Sequence, residues 1–333
     1  MPEPCIGTDI ICYGDEDISF SKMSDLAYII RNYRFEDLNK LLQFVAEVET
    51  LGEACICTTP QDLLESLGLP HHFPEDNLFI AERAGKIIGY LDVMPELNIG
   101  RAVLSCLVHP EHHRSDLPES LIERALNYAK ELKLNVAHVN IPQQNRRAKR
   151  LFSKLGFSFV RRFLELRLDL SKAHLPKFTK TTFQLRRLRK GEEEKMTQIQ
   201  NRSFLDTWSY NPNTSEDIIY RLGLPHCSVQ DIILAFEVDK PIGYCWTKIN
   251  PGEDKANSEG RIYMLGVDPD HRGKGVGMHV LVAGLSLLKG KGIRIVDLTV
   301  DSANKAARAL YSTVGFEVWK SSLWYEKALA NPL

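Results

Sequence analysis

A chain of 333 residues has room for two domains of ordinary size, and its 44% hydrophobic content suffices for packed cores. Lys plus Arg (42) balances Asp plus Glu (43), so no overall field selects nucleic acid or an anionic membrane as a partner. The amino terminus lacks a basic segment followed by an apolar one, and no apolar run reaches the ~20 residues that span a bilayer, so neither a secretory signal nor a membrane anchor is expected.

Seven scattered cysteines (Cys5, Cys12, Cys55, Cys57, Cys106, Cys227 and Cys245) are odd in number, and the close pair Cys55-x-Cys57 has no second pair to complete a zinc site. Free thiols in a reducing, cytoplasmic compartment are expected, and no metal. The basic run at Arg146–Arg150 reads as a solvated helix face.

Residues 1–25, with the acidic run Asp15-Glu16-Asp17, carry no clear element signal. From Tyr28 onward the chain is written twice. Tyr28-Ile29-Ile30-Arg31 aligns with Phe183-Gln184-Leu185-Arg186, and Leu69-Pro70-His71 with Leu224-Pro225-His226, at a shift of 155. Each opening strand leads to an amphipathic helix, near 36–48 and 192–204. Hairpins follow at 78–83 with 86–93 and at 232–238 with 241–248, where Ile88-Gly89-Tyr90 matches Ile242-Gly243-Tyr244 at 154. An insertion near Pro251–Ser258 moves the shift to 159, which then holds: Val108-His109-Pro110 falls on Val267-Asp268-Pro269, Asn145 on Asn304, Phe152 on Tyr311, and Gly156-Phe157 on Gly315-Phe316. The same register accounts for His109-x-x-His112-His113 without a metal. The late elements of the second half are a strand at Ile293–Val300, a helix from about Ala303, and strands around Phe316–Trp319 and Leu323–Lys327. The polar stretch Ser171–Lys180 separates a first domain, 1–172, from a second, 180–333.

The most informative stretch is 261–277. Arg261–Leu265 reads as a strand, with Ile262 and Met264 facing one way and Tyr263 and Leu265 the other. Val276, Val280, Ala283 and Leu287 then recur at helical spacing up to Gly290. Between them, Gly273, Gly275 and Gly277 leave main-chain N–H groups bare at a helix start, with Arg272 and Lys274 adding charge: an anion site suited to pyrophosphate. No Ser or Thr follows the Gly-Lys pair as a P-loop requires, and the glycine spacing is wrong for the dinucleotide fingerprint. The pattern present is Arg-x-x-Gly-x-Gly, at Arg272, Gly275 and Gly277.

That pattern resembles the coenzyme A arm of the GNAT superfamily of acetyltransferases, and the order of elements matches that superfamily in both halves. Together with Tyr263–Pro269 and Ala309–Phe316, the tandem arrangement looks most like the mycothiol synthase branch; the likeness is specific only over 261–317. It implies an α/β (α+β) fold of two tandem GNAT-like domains, each a mixed, mostly antiparallel sheet flanked by helices. It further implies that backbone groups of Leu265, Gly266 and Val267 pair with the pantetheine arm of acetyl-CoA, that 272–277, including Val276, hold its pyrophosphate, that Asn304 touches the arm, and that Tyr311 protonates the leaving sulfur. Asn304 is equally suited to capping a helix, and Gly266 to a bulge or to close packing. The branch has a glutamate where Arg261 stands here, which argues against mycothiol as product. Glu259, two residues earlier on the same face, and Glu237 are the candidate bases. Phe204, Trp208, Tyr210, Trp246 and Tyr325 either wall an acceptor cleft or pack in cores.

In the first half His113, Asp116 and Pro118 replace Arg272, Gly275 and Gly277, and Phe152 replaces the tyrosine. A carboxylate repels pyrophosphate, proline has no N–H to give, and phenylalanine has no proton to donate. This half reads as a degenerate, non-catalytic copy. The expected function is an acetyl-CoA-dependent N-acetyltransferase acting on a small-molecule amine, as monomer or homodimer. A silent coenzyme A-binding regulator, a protein N-acetyltransferase and another acyltransferase are the alternatives.

Overall fold

The computed structural model describes residues 28–51, 59–173, 175–178, 182–225, 227–250 and 258–329. Cys5, Cys12, Cys55, Cys57, the acidic run at 15–17, His226 and the insertion at 251–257 lie outside them. The first repeat runs β1 (Ile29–Asn32), α1 (Leu38–Thr50), α2 (Pro60–Leu67), α3 (Pro74–Asn77), β2 (Leu78–Arg83), β3 (Lys86–Glu96), β4 (Arg101–Val108), α4 (Leu117–Glu131), β5 (Val136–Pro142), α5 (Arg146–Lys154) and β6 (Ser158–Asp169). The second runs β7 (Gln184–Arg187), α6 (Glu193–Phe204), α7 (Ser215–Leu222), β8 (Ile232–Glu237), β9 (Lys240–Asn250), β10 (Glu259–Val267), α8 (Val276–Gly290), β11 (Ile295–Asp301), α9 (Lys305–Thr313) and β12 (Glu317–Ala328).

The duplication extends to the ends of the elements. Leu117 and Val276 start corresponding helices, and Asp169 and Ala328 end corresponding strands, each pair 159 residues apart. The local chemistry repeats as well. Arg31 binds Asp37 as Arg186 binds Glu192, each at 2.7 Å, tying an opening strand to the turn that follows. Asn145 and Asn304 cap their helices by accepting from the N–H of Ala148 and Ala307.

The strands form one twelve-stranded sheet in the order β1-β2-β3-β4-β5-β12-β6-β11-β10-β9-β8-β7. The closing strands are exchanged. β6, from the first repeat, pairs antiparallel with the whole of β11, Ile295 opposite Asp169 and Asp301 opposite Phe163. β12, from the second, pairs with β5, Tyr325 opposite Val139, and β6 and β12 pair with each other at the centre. Alternation then sends the apolar side of each strand into the other half's core. Leu166 and Leu168 pack with Val280 and Leu285 of α8, and Leu323 and Tyr325 pack in the core built on α4. Where the sequence suggests two strands after Phe316, β12 is a single strand, bulged after Val318, with a second bulge in its partner β6 at Val160. With β6 beside it along most of its length and β5 joining from Ser322, pairing is never interrupted. Among the described residues no helix is long and apolar enough to cross a membrane, and no His/Cys/Asp/Glu group could hold a metal ion.

The exchange makes each core depend on the other half's sequence. Leu323→Ala, in the last strand, should destabilise the first half's core by about 2–5 kcal/mol. Chemical denaturation followed at both halves should show one shared transition; a second-half-only effect would contradict the exchange.

Candidate active site

β10 pairs with β9 from end to end, but with its parallel neighbour β11 only at Gly260–Val296 and Arg261–Asp297. Beyond Arg261 the two strands part. The edge of β10 from Ile262 to Val267 is left without a strand partner on that side, a row of main-chain donors and acceptors open to an extended ligand. A bulge falls between Ile262 and Met264, and it alters the simple alternation read from the sequence. Ile262 and Leu265 face the core under α8, whereas Tyr263 and Met264 both face the core under α6. Gly266 is a close-packing glycine: a Cβ there would lie 2.6 Å from the Tyr244 ring and 2.7 Å from Cβ of Ser203 on α6.

The loop beyond the wedge is a cradle. Gly273 (φ 74°) and Gly275 (φ 81°) are left-handed, a conformation that costs an L residue roughly 1–2 kcal/mol. Gly275 occupies the N-cap of α8, so no side chain covers the helix's first N–H groups, and a Cβ on Gly273 would meet open space. Val276 is buried beneath, and Lys274 is exposed at the rim. Arg272 does more than supply charge: its guanidinium donates to Ser203 O (2.8 Å) and Val267 O (3.4 Å), bracing α6 against the end of β10. Asp268 is fully buried. Burial by itself raises its pKa, but bonds from Arg202 (2.6 Å), the Asp270 N–H and His271 outweigh that and hold the carboxyl below the usual range.

Tyr311, on α9, is 6% exposed, and burial pushes its phenol well above the ordinary tyrosine range, with the Cys245 thiol adding to the shift. Cys245 is the register partner of Leu265, and Tyr311, Cys245 and Leu265 pack in one core under α8. Asn304 caps the same helix. Glu259 lies at the foot of β10, where the strands are still paired, and accepts from Arg167 at 3.0 Å. At about 3.3 Å per residue it is roughly 17–20 Å of strand from Leu265. Glu237 is exposed beside His271 (3.2 Å), at the loop end of the sheet and away from the bulge.

On the sheet face opposite α8, a cavity of about 610 Å³ opens between the halves, lined by Arg221, Trp246, Arg261 and Tyr263 from one side and Glu65 and Glu165 from the other. Of the aromatic candidates, Trp246 packs edge-on to Tyr263 (5.2 Å), and Phe204 stacks on Tyr210 (5.4 Å). Trp208 joins His138 and Trp324 in a cluster where the halves meet, and Tyr325 is buried in the first half's core. Sequence reasoning missed Glu65, Glu165 and Arg167, because nothing in the linear pattern brings first-half residues to this face.

The first half keeps the wedge but not the cradle. β4 pairs with β5 only over Arg101–Leu104, and a cavity of about 310 Å³ lies beyond. His113 bonds Val108 O (2.8 Å) as Arg272 bonds Val267 O. Asp116 (φ −75°) replaces the left-handed glycine, Ser115 Oγ accepts from the Leu117 N–H, and Pro118 follows. Phe152 stands in Tyr311's place, edge-on to Phe157.

The family model described as Acetyltransferase (GNAT) family matches residues 46–157 and 193–316. The chain belongs to that family and is an acetyl-CoA-dependent acyltransferase. It is 28% identical over 300 residues to a mycothiol acetyltransferase of Amycolatopsis mediterranei, covering 88% of this chain and 95% of that one. It is 29% identical over 259 residues to one of Stackebrandtia nassauensis, covering 77% and 84%. In fold it is similar to a GCN5-related N-acetyltransferase from Sphaerobacter thermophilus (TM-score 0.69, 18% identity, covering 92% and 97%) and to a tandem GNAT protein of the clavulanic acid biosynthesis pathway (TM-score 0.70, 14% identity, covering 92% and 100%). The glycine cradle and the open edge of β10 fit the family's acetyl-CoA.

Gly275→Asp, which copies Asp116 into the cradle, should weaken acetyl-CoA binding by about 100-fold or more, through strain and charge repulsion together. Calorimetry checks the affinity and thiol release the turnover. Undiminished thiol release would place the reactive site elsewhere.

Proposed function

We propose that the second half transfers the acetyl group of acetyl-CoA to a primary amine of a small molecule, by direct attack in a ternary complex. One observation carries this reading: Tyr311 packs in the same core as Leu265, on the strand whose edge is open. A pantetheine arm added as a strand along Leu265, Gly266 and Val267 brings its thioester to the edge beside Leu265. Its pyrophosphate rests on the amides of 273–277, with Arg272, Lys274 and Asn304 alongside. A main-chain N–H beside the bulge polarises the carbonyl.

The amine nitrogen forms the C–N bond as the C–S bond breaks, and the departing sulfur takes the Tyr311 proton. Burial keeps that proton in place, which suits a general acid. Glu259, bound to Arg167 and six residues along β10 from Leu265, is beyond the reach of one water, so the amine sheds its protons to solvent and attacks in its neutral form. The first half has neither the cradle nor the tyrosine and serves as a non-catalytic copy. The cavity between the halves has the volume of a small-molecule site, which favours a small acceptor over a protein amine. The relatives named mycothiol acetyltransferase support the same class of acceptor, while Arg261 argues for a different member of it.

Tyr311→Phe should lower kcat by about 100-fold or more and leave the acetyl-CoA Kd unchanged, measured by thiol release and calorimetry. Because the phenol's pKa is raised, Tyr311 contributes no alkaline loss of activity below pH 10.0. Unchanged kcat would remove Tyr311 from the chemistry. Tight binding without thiol release, over a wide panel of amines, would instead favour a coenzyme A-binding regulator.

A further inference from the structure

The cavity between the halves is lined by five acidic and five basic side chains, but they are not paired one to one. Three of its carboxylates are engaged: Glu65 binds Lys248 at 2.7 Å, and Glu259 and Asp297 both bind Arg167, at 3.0 and 2.8 Å. Asp62 is taken up in capping α2, where it accepts from Thr59 N and Oγ1. The remaining cations make their closest contacts with neutral groups. Arg221 donates from Nη1 to the Tyr263 hydroxyl at 2.5 Å, and its Nε is buried without a partner among the described residues. Arg261 donates to the Thr299 hydroxyl at 2.7 Å, and the Lys320 ammonium lies 3.9 Å from the centre of the Trp319 ring.

Against these stands one carboxylate, Glu165, brought in by the exchanged strand β6. It makes no hydrogen bond or ion pair with any described residue, although its charge is felt by Arg167 two residues on, and Lys320 is its register partner across the strand pair. Its register partner on the other side is Thr299, the residue that holds Arg261. Glu165 and Arg261 therefore flank Thr299 from the two neighbouring strands, on the face where the wedge opens.

A site for a plain amine, which arrives as an ammonium ion, gains nothing from two guanidinium groups bonded only to hydroxyls. Taking the transferase reading as its basis, we infer that the acceptor is a primary amine that also carries an oxyacid group, carboxylate or phosphate. Arg261 and Arg221 receive the acid group, and Glu165 receives the ammonium. Guanidinium groups suit both acids, because their planar N–H forks match either set of oxygens. Tyr263, on the same strand face as Arg261, holds Arg221 toward the cavity by its hydroxyl.

The test is thiol release from acetyl-CoA by the full-length protein over three matched sets of amines: amino acids, amines bearing a phosphate, and neutral amines of similar size. Acid-bearing amines should exceed neutral ones in kcat/KM by about tenfold or more, the worth of one charge-assisted pair. Whichever acid-bearing set leads identifies the oxyacid. Arg261→Gln should bring the ratio of acid-bearing to neutral kcat/KM toward one, and Arg261→Glu should invert it. The acetyl-CoA Kd should stay the same in both, which shows that the fold survives. Neutral amines reacting as well as acid-bearing ones, or a ratio unmoved by Arg261→Glu, would overturn the inference and leave the transferase reading standing. No thiol release with any amine would overturn both.

Discussion

The parting of β10 from β11 is the constraint on which the rest of the molecule depends. A parallel pair that stops after two residues leaves both strands with unpaired backbone, which a folded interior does not tolerate without compensation. On the β10 side, β9 pairs along the full length, and the bulge turns Leu265 back to the α8 core. On the β11 side, β6 supplies seven consecutive register partners, from Ile295 to Asp301. The open wedge can persist because each wall is secured from behind. The exchanged strand is thus a condition for the site as well as a link between the halves.

On the proposed reading, duplication lets one copy keep the chemistry and the other keep the architecture. Both halves hold a wedge, a later helix capped by asparagine (α5 and α9), and a side chain bonded to the carbonyl of the last wedge residue, Arg272 in one and His113 in the other. Their loops differ where a ligand would rest: left-handed glycines in one, and Ser115, Asp116 and Pro118 in the other. The first half still lends the second its closing strand and one wall of the cavity on the acceptor face. Those contributions need β6 and α2 in place and need nothing of the first half's own loop.

Much of this was legible in the sequence, for physical reasons. The repeat register survives because turn and cap residues such as Asn145 and Asn304 act locally, and the cradle is visible because left-handed loop positions favour glycine. The exchange was not legible. β6 and β12 derive from the same element, and each has the alternation needed to close either half, so pattern alone does not say which core receives Leu323. The residues that only the exchange brings to the acceptor face, Glu165 above all, were hidden for the same reason. Alternation along β10 misassigned the faces of Met264 and Leu265, because a bulge adds a residue without leaving a mark in composition. Arg272 was read as a charge for a phosphate; its bonds to Ser203 O and Val267 O belong to a helix packing that no spacing announces.

Amide hydrogen exchange of the intact chain, with and without acetyl-CoA, tests the central claim most directly. New protection confined to residues 262–267 and 273–277, with 105–118 unchanged, is the result expected of a single wedge filled by the pantetheine arm. Protection appearing at 105–118, with β10 and the glycine loop unaffected, would contradict it.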